Sequence, residues 1–379
     1  MIRRNVVAAP IILSIVFTVA LPAPALAAPT LTSRTVQSGL TIPWDVAFAP
    51  GGQMFVSERP GRVKVFRSGN PGAALLRSNT IAGVHAVGEA GVMGLAVDPN
   101  FTANRFLYVC ASRDHNGRWL NQVLRYEVRA NWTLRLDRIL IRNGMKANTI
   151  HNGCALEFGP DGRLWVTMGD ANIQSRAQNP NLLNGKVLRI NRNGSIPDDN
   201  PVMPGASGRT AVYSMGHRNP QGIDFHPTTG RVYAVEHGPN QDDEINWIRP
   251  GLNYGWPCVT GNDVPTPSFG TGACAGLTGA DFENPAWRSG APTIATSGAA
   301  FVSGPRWENW KGQLFVAQLK ESDLRRFAVI DGGTTADHRA TYYNGRWGRL
   351  RAVVFGPGRH LFVTTSNGSN DRVVRISAN

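Results

Sequence analysis

The chain has 379 residues, with 39 Lys/Arg against 26 Asp/Glu, a formal net charge of +13 and four cysteines. The basic excess is mostly scattered arginine with no dense run, which argues against a nucleic-acid surface and leaves a basic pocket for a polyanionic small molecule as one use for the charge. No CxxC spacing occurs, which argues against structural zinc, and no stretch after the N-terminus is apolar enough to span a bilayer.

The chain opens with Arg3 and Arg4, an apolar stretch from Val6 to Leu21, and the small-residue run Ala25-Leu26-Ala27. This pattern predicts a cleaved secretory signal peptide over 1–27, with an uncleaved N-terminal anchor as the alternative. No cysteine follows the cleavage site, which argues against a lipoprotein. The expected product is secreted, or periplasmic where the source has an outer membrane, without stable membrane insertion. Residues 28–379 are long enough for two domains but also suit one large all-β domain.

Six segments along that stretch share one pattern: an apolar run, a Pro/Gly turn and a second apolar run. They begin at Asp45, Leu95, Leu156, Ile223, Ala299 and Val353. Their equivalent residues, Phe48, Val97, Phe158, Phe225, Phe301 and Phe355, recur about every 50 to 75 positions. Each hairpin is followed by another strand-like run, such as GRVKVF from Gly61 or DRVVRIS from Asp371, with period-2 alternation in several. Long helical periodicity is absent. The repeat predicts an all-β, six-bladed β-propeller with about four antiparallel strands per blade, rather than two stacked β-sandwiches. Function then belongs at the ends of the runs, where loops from distant segments meet at one mouth of the channel.

Candidate residues lie at those ends. Cys110 ends one strand-like run and Cys154 starts another, and Cys258 and Cys274 bracket a Gly/Pro-rich loop. In an exported chain these two pairings are the favoured disulfides of the three possible connectivities. His151 and Asp170 flank the third hairpin (HNGCALEFGPDGRLWVTMGD), where strand pairing brings them together; a carboxylate beside an imidazole is the arrangement of a general base, and also a common structural pair. Arg218 and Asn219 precede the fourth hairpin. Gly238 and Pro239 follow it, with Asp242, Asp243 and Glu244 behind them; backbone carbonyls and carboxylates there suit Ca²⁺, or simply a solvated acidic turn. Lys320 follows the fifth hairpin, and Arg349 and Arg351 precede the sixth on one side of their strand by alternation. Facing the mouth together, Arg218, Lys320, Arg349 and Arg351 suit a ligand with several carboxylates; otherwise they are separate surface cations.

Taken in order, GLTIPWDVAFAP, HNGCALEFGPDGRLWVTMGD, GHRNPQG, EHGPNQDDEIN, NYGWP, APTIATSGAAF, LK and GRLRAV resemble the soluble quinoprotein aldose-sugar and glucose dehydrogenases across nearly the whole chain from residue 39. The resemblance implies a six-bladed propeller that binds pyrroloquinoline quinone (PQQ) and Ca²⁺ and oxidises aldose sugars at C1, passing electrons to an external acceptor. It implies His151 as general base with Asp170 as its partner, and Arg218, Asn219, Lys320, Arg349 and Arg351 around PQQ. Gly238 and Pro239 match the calcium-ligating turn, and Glu244 and Tyr254 match positions associated with calcium in the aldose-dehydrogenase branch. Three positions depart from the pattern. Glu89 stands where a glutamine contacts the cofactor, Cys154 replaces a second glycine, and Ala352 replaces an acid. Two other classes stay open: a calcium-dependent lactonase-type hydrolase, and a propeller that binds a ligand or partner without redox chemistry.

Overall fold

Each predicted hairpin forms the first two strands of a four-stranded antiparallel sheet, and six such sheets make the propeller. The computed structural model describes residues 28–379 together with Ile2; the expected leader over 1–27 otherwise lies outside the described residues. The innermost strands of blades one to six are Pro43–Phe48, Val92–Val97, Gly153–Phe158, Pro220–Phe225, Thr296–Phe301 and Leu350–Gly356, each packed against the next around a ring. The sixth blade takes its outermost strand, Leu31–Leu40, from the start of the described chain. It pairs with Asp371–Ala378 from Leu31 opposite Ala378 to Leu40 opposite Asp371. This closure joins the two ends of the ring and leaves no open edge between first and last blades.

Local chemistry explains the elements. In Arg62–Phe66, Val63 and Val65 are buried while Arg62 is exposed, the period-2 pattern of a half-covered strand. The innermost strands are enclosed on both faces and need small residues where blades meet. A Cβ at Gly94 would sit 2.4 Å from the carbonyl of Cys154 in blade three, and one at Gly298 would sit 2.5 Å from the amide of Val353 in blade six. Every innermost strand also carries a bulge near its start, for instance between Gly153 and Leu156 and between Leu350 and Val353. A bulge re-aims side chains at the site end.

The channel holds a cavity of ≈ 370 Å³ lined by all six innermost strands. Phe48, Phe225, Phe301 and Phe355 line one end, Trp44, Gln221 and Arg351 the other. Its wall carries Asp45, Glu157 and Asp224. Asp45 accepts from the amides of Val46 and, in blade two, Leu95, both at 2.8 Å. Asp224 accepts from Phe225 at 2.7 Å and, in blade five, Phe301 at 2.6 Å. These carboxylates clasp adjacent blades, and burial pushes each up to about 7.

Both favoured disulfides form. Cys110–Cys154 joins blades two and three, and Cys258–Cys274 staples an excursion of the fourth blade. That excursion, residues 249–286, separates the strand Glu244–Ile248 from the outermost strand Trp287–Arg288.

Candidate active site

His151 and Asp170 meet on the face where the chain enters the innermost strands and leaves the second strands. Gly153 pairs with Met168, so the residues just outside that pair are brought together. Asp170 Oδ1 lies 2.7 Å from His151 Nδ1. Fitting them requires two unusual backbone features. His151 adopts φ 60°, and a Cβ at position 169 would sit 2.2 Å from the His151 carbonyl, so only glycine fits there. Asp170 is fully buried and its oxygens are held: the Asn172 amide donates to Oδ1 at 2.6 Å and the Trp256 indole to Oδ2 at 2.8 Å. With Nδ1 engaged by Asp170, Nε2 is the nitrogen left to take a proton. No described residue is hydrogen-bonded to it.

Trp256 is the member of this chain that residue spacing did not reveal. It belongs to the blade-four excursion and reaches Asp170 across 86 positions. Gln178, in the loop after Asp170, donates to the Trp256 carbonyl at 2.7 Å, and the Arg218 guanidinium lies 5.2 Å from the indole centroid.

Glu89 occupies the same corner and its carboxylate is matched by protein donors. Oε2 accepts from the His151 amide at 2.9 Å, and the Asn219 side-chain amide lies 3.3 and 3.4 Å from its two oxygens. Asn219 Oδ1 in turn accepts from Gly153 at 3.1 Å and Gln221 at 2.9 Å. Glu89 and Asn219 therefore knit blades two, three and four behind His151.

Arg218 and Arg351 lie inside the mouth, and Lys320 and Arg349 are exposed at its rim. The bulge between Leu350 and Val353 interrupts the simple alternation expected there: Arg349 stays exposed while Arg351 turns inward, donating to Gln221 at 3.1 Å, with its guanidinium 3.5 Å from the Trp44 centroid. The Lys320 amide donates to the Ile294 carbonyl at 3.1 Å. Arg59, which the sequence did not single out, adds a further positive charge beside Arg351. None of these five cations forms an ion pair among the described residues. Burial lowers the guanidinium pKa of both Arg218 and Arg351, and Arg218 Nε is buried without a partner. His237 between them is pushed down to about 3 by burial, reinforced by Arg351, Arg218 and His151, and its Nε2 is also unpartnered. Glu89, Asp170, Glu236 and Asp243 act on Arg218 only at longer range, as Glu89 does on Arg351; cations outside any contact ion pair and orphaned buried nitrogens fit a polycarboxylate ligand.

The turn after the fourth hairpin is tight. A Cβ at Gly238 would sit 1.9 Å from the Gln241 carbonyl, and the Gly238 amide donates to Asp243 Oδ1 at 2.9 Å. The acidic run is not the set of free carboxylates its sequence suggests. Asp242 faces Arg288 and Gln241, Asp243 also accepts from the amides of Ile294 and Ala295, and Glu244 accepts from Gly261 and Asn246. The Gly238 and Pro239 carbonyls accept no backbone or side-chain hydrogen bond among the described residues. Beside them lies a void of ≈ 10 Å³ lined by Glu236, Gly238, Pro239, Glu244 and Tyr254, room for one water-sized particle or ion. Burial, with Glu236 close by, raises Glu244 to about 8, and Asn246 Oδ1 is buried without a donor. These oxygens fit a hard cation. The Tyr254 hydroxyl points elsewhere, donating to the Trp247 carbonyl and accepting from the Arg249 amide. Among the described residues no three His, Cys, Asp or Glu side chains converge in metal-binding geometry, so a cation at this turn relies on carbonyl and amide oxygens as well.

A second His–carboxylate chain lies beneath. Ser214 Oγ is 2.8 Å from His217 Nε2, and His217 Nδ1 is 2.8 Å from Glu236 Oε1. This has the connectivity of a hydrolase triad, but Ser214 and His217 are 0% exposed and Glu236 3%, so no substrate reaches the hydroxyl. Glu236 instead anchors the Arg218 amide at 2.8 Å.

Several known proteins to which the chain is similar are described as sugar dehydrogenases. The family model described as Glucose / Sorbosone dehydrogenase matches residues 40–375. Aldose sugar dehydrogenase YliI of Escherichia coli (strain K12) is 30% identical over 348 residues, covering 90% of this chain and 92% of that protein. Quinoprotein glucose dehydrogenase B of Acinetobacter calcoaceticus is 29% identical, covering 76% of this chain and 63% of that one. The PQQ-bound form of an aldose sugar dehydrogenase from Streptomyces coelicolor superposes with a TM-score of 0.77 at 28% identity, covering 93% of this chain and all of that one.

Proposed function

The chain belongs to the glucose/sorbosone dehydrogenase family, and on that premise we propose that it oxidises an aldose at C1, using bound PQQ and Ca²⁺ and an external electron acceptor. The observation that carries the proposal is the His151–Asp170–Trp256 chain, with contacts of 2.7 and 2.8 Å, set at a mouth whose cations form no ion pair among the described residues. PQQ, when bound, supplies the two-electron acceptor for the hydride that leaves C1.

The chain's own residues do the rest. His151 Nε2 takes the proton of the C1 hydroxyl, and Asp170 stabilises the imidazolium through Nδ1. Arg218, Arg351, Lys320 and Arg349 hold the carboxylates of PQQ, and burial of the first two strengthens that attraction. Asn219 serves by fixing the wall behind the cofactor. The Gly238 and Pro239 carbonyls supply oxygen ligands to calcium, and Glu244 with the Tyr254 backbone lines the adjoining void. Glu89 takes no negative charge into contact with PQQ on this reading, because its oxygens face the His151 amide and Asn219. Two disulfides suit the oxidising compartment to which a leader would deliver the chain.

Replacing the base gives the test. His151→Ala is expected to lower kcat by ~10²–10⁴-fold, the usual contribution of a general base, while PQQ still binds. The measurement is dye-linked turnover beside a PQQ absorbance titration, and an unchanged kcat with bound PQQ would remove His151 from the mechanism.

A further inference from the structure

Blade two is taller than its neighbours on the site face. Its strands Phe106–His115 and Arg118–Val128 have 10 and 11 residues, against 5 in each of the equivalent strands of blades one and three. Between this hairpin and the loop after Asp170 runs a groove of ≈ 560 Å³, whose lining includes Arg118, Trp119, Lys146, Asn148 and Arg176 and no Asp or Glu. None of the three cations is ion-paired among the described residues. Arg118 and Arg176 each donate to a neutral amide oxygen, Asn143 at 3.3 Å and Asn184 at 3.1 Å. The Trp119 indole nitrogen is buried and unpartnered. Below the groove Lys186 is fully buried, its ammonium donating to the carbonyls of Arg176, Ala177 and Asn184 at 2.8 to 2.9 Å. Three positive side chains thus gather with no carboxylate in the groove's lining, above Lys186, whose ammonium burial pushes down to about 7; the nearby Asp114, opposite Trp119 in the strand pair, is engaged by His85.

The groove's wall continues into the loop that carries His151, three residues after Asn148. Asn148, on its wall, donates to the Ala171 carbonyl at 2.7 Å, and Asn152 donates back to the Asn148 carbonyl at 2.6 Å. It shares no lining residue with the cations of the channel mouth.

We infer that this groove is an anion subsite of the proposed sugar oxidation: it receives a carboxylate or phosphate carried by a saccharide whose C1 end reaches His151. The inference rests on the sugar-dehydrogenase reading. Arg118 and Lys146 pair with the anion, and the Trp119 indole donates to the same group or to a hydroxyl beside it. The substrate class is accordingly an acidic saccharide of two or more units.

The test uses the protein loaded with PQQ and Ca²⁺. Three disaccharides of equal length are compared: a neutral one, one whose non-reducing residue is a uronic acid, and one bearing a phosphate there. At low ionic strength an acidic disaccharide is expected to have a kcat/KM higher by about tenfold or more, the order of a charge-assisted hydrogen bond. Which acidic arm gains identifies the anion. The gain is expected to vanish in R118A/K146A and in high salt, with the neutral disaccharide unaffected as the control for folding. Equal kcat/KM for all three, or a gain that survives R118A/K146A, overturns the inference while leaving the sugar-dehydrogenase reading intact. If no saccharide is oxidised, that reading fails first, and calorimetric titration with the two acidic disaccharides decides the groove. Saturable binding lost in R118A/K146A supports an anion site; no binding overturns it.

Discussion

The Trp256 side chain has one polar atom, and it donates to the carboxylate that orients His151. Removing that donor leaves Asp170 Oδ2 buried without it, which loosens the carboxylate that holds the His151 imidazole in place. Trp256→Phe keeps most of the packing and the face presented to Arg218. It is expected to lower kcat while PQQ binding is retained. A purely packing role would lower thermal stability and leave kcat of the folded, PQQ-loaded variant where it was, so turnover measured well below its Tm separates the two. His151 and Asp170 were legible in the sequence because one hairpin's pairing brings both ends together. Trp256 was not, because its position depends on where a stapled 38-residue excursion lands on the adjoining blade. Glu89 was read as a charge facing the cofactor; its partners, the His151 and Asn152 amides and Asn219, depend on interblade geometry that spacing does not encode.

Elements were unequally legible for a physical reason. Inner hairpins are enclosed on both faces, so runs such as VMGLAV stand out. Outermost strands are not: Leu75–Thr80 has a single buried residue, and Trp287–Arg288 is two residues long. Leu31–Leu40 is largely polar, with Val36 and Leu40 buried, and its pairing with the far end of the chain is a ring-closure effect. That strand carries a prediction. Val36→Asp places a charge in the closing seam and is expected to cost several kcal/mol, seen as a lower Tm and as aggregation on a thermal ramp from the freed Asp371–Ala378 edge. Melting and light scattering like the unaltered protein would mean that closure contributes little.

At the scale of the molecule, the channel carboxylates link stability to pH. Burial raises Asp45 and Asp224 from 3.8 to about 7, so between those values the folded chain holds protons that the unfolded chain releases. Each group's contribution is therefore most favourable below pH 3.8, declines as pH rises towards 7, and is flat above, with a slope of at most ~1.4 kcal/mol per pH unit. Asp45→Asn is expected to flatten the dependence of denaturant midpoint on pH between 4 and 7, and an unaltered slope would show that Asp45 does not titrate in that window. The same channel opens onto the unpaired cations of the mouth, and the net charge of +13 reflects in part that concentration of arginine around it. The most direct measurement follows from that mouth: purified protein is titrated with PQQ in the presence of Ca²⁺, and dye reduction is followed as a panel of aldoses is added. The expected result is saturable binding of PQQ and aldose-dependent dye reduction that requires it. An absorbance spectrum of PQQ unchanged by the protein, or binding with no turnover of any aldose, would contradict it.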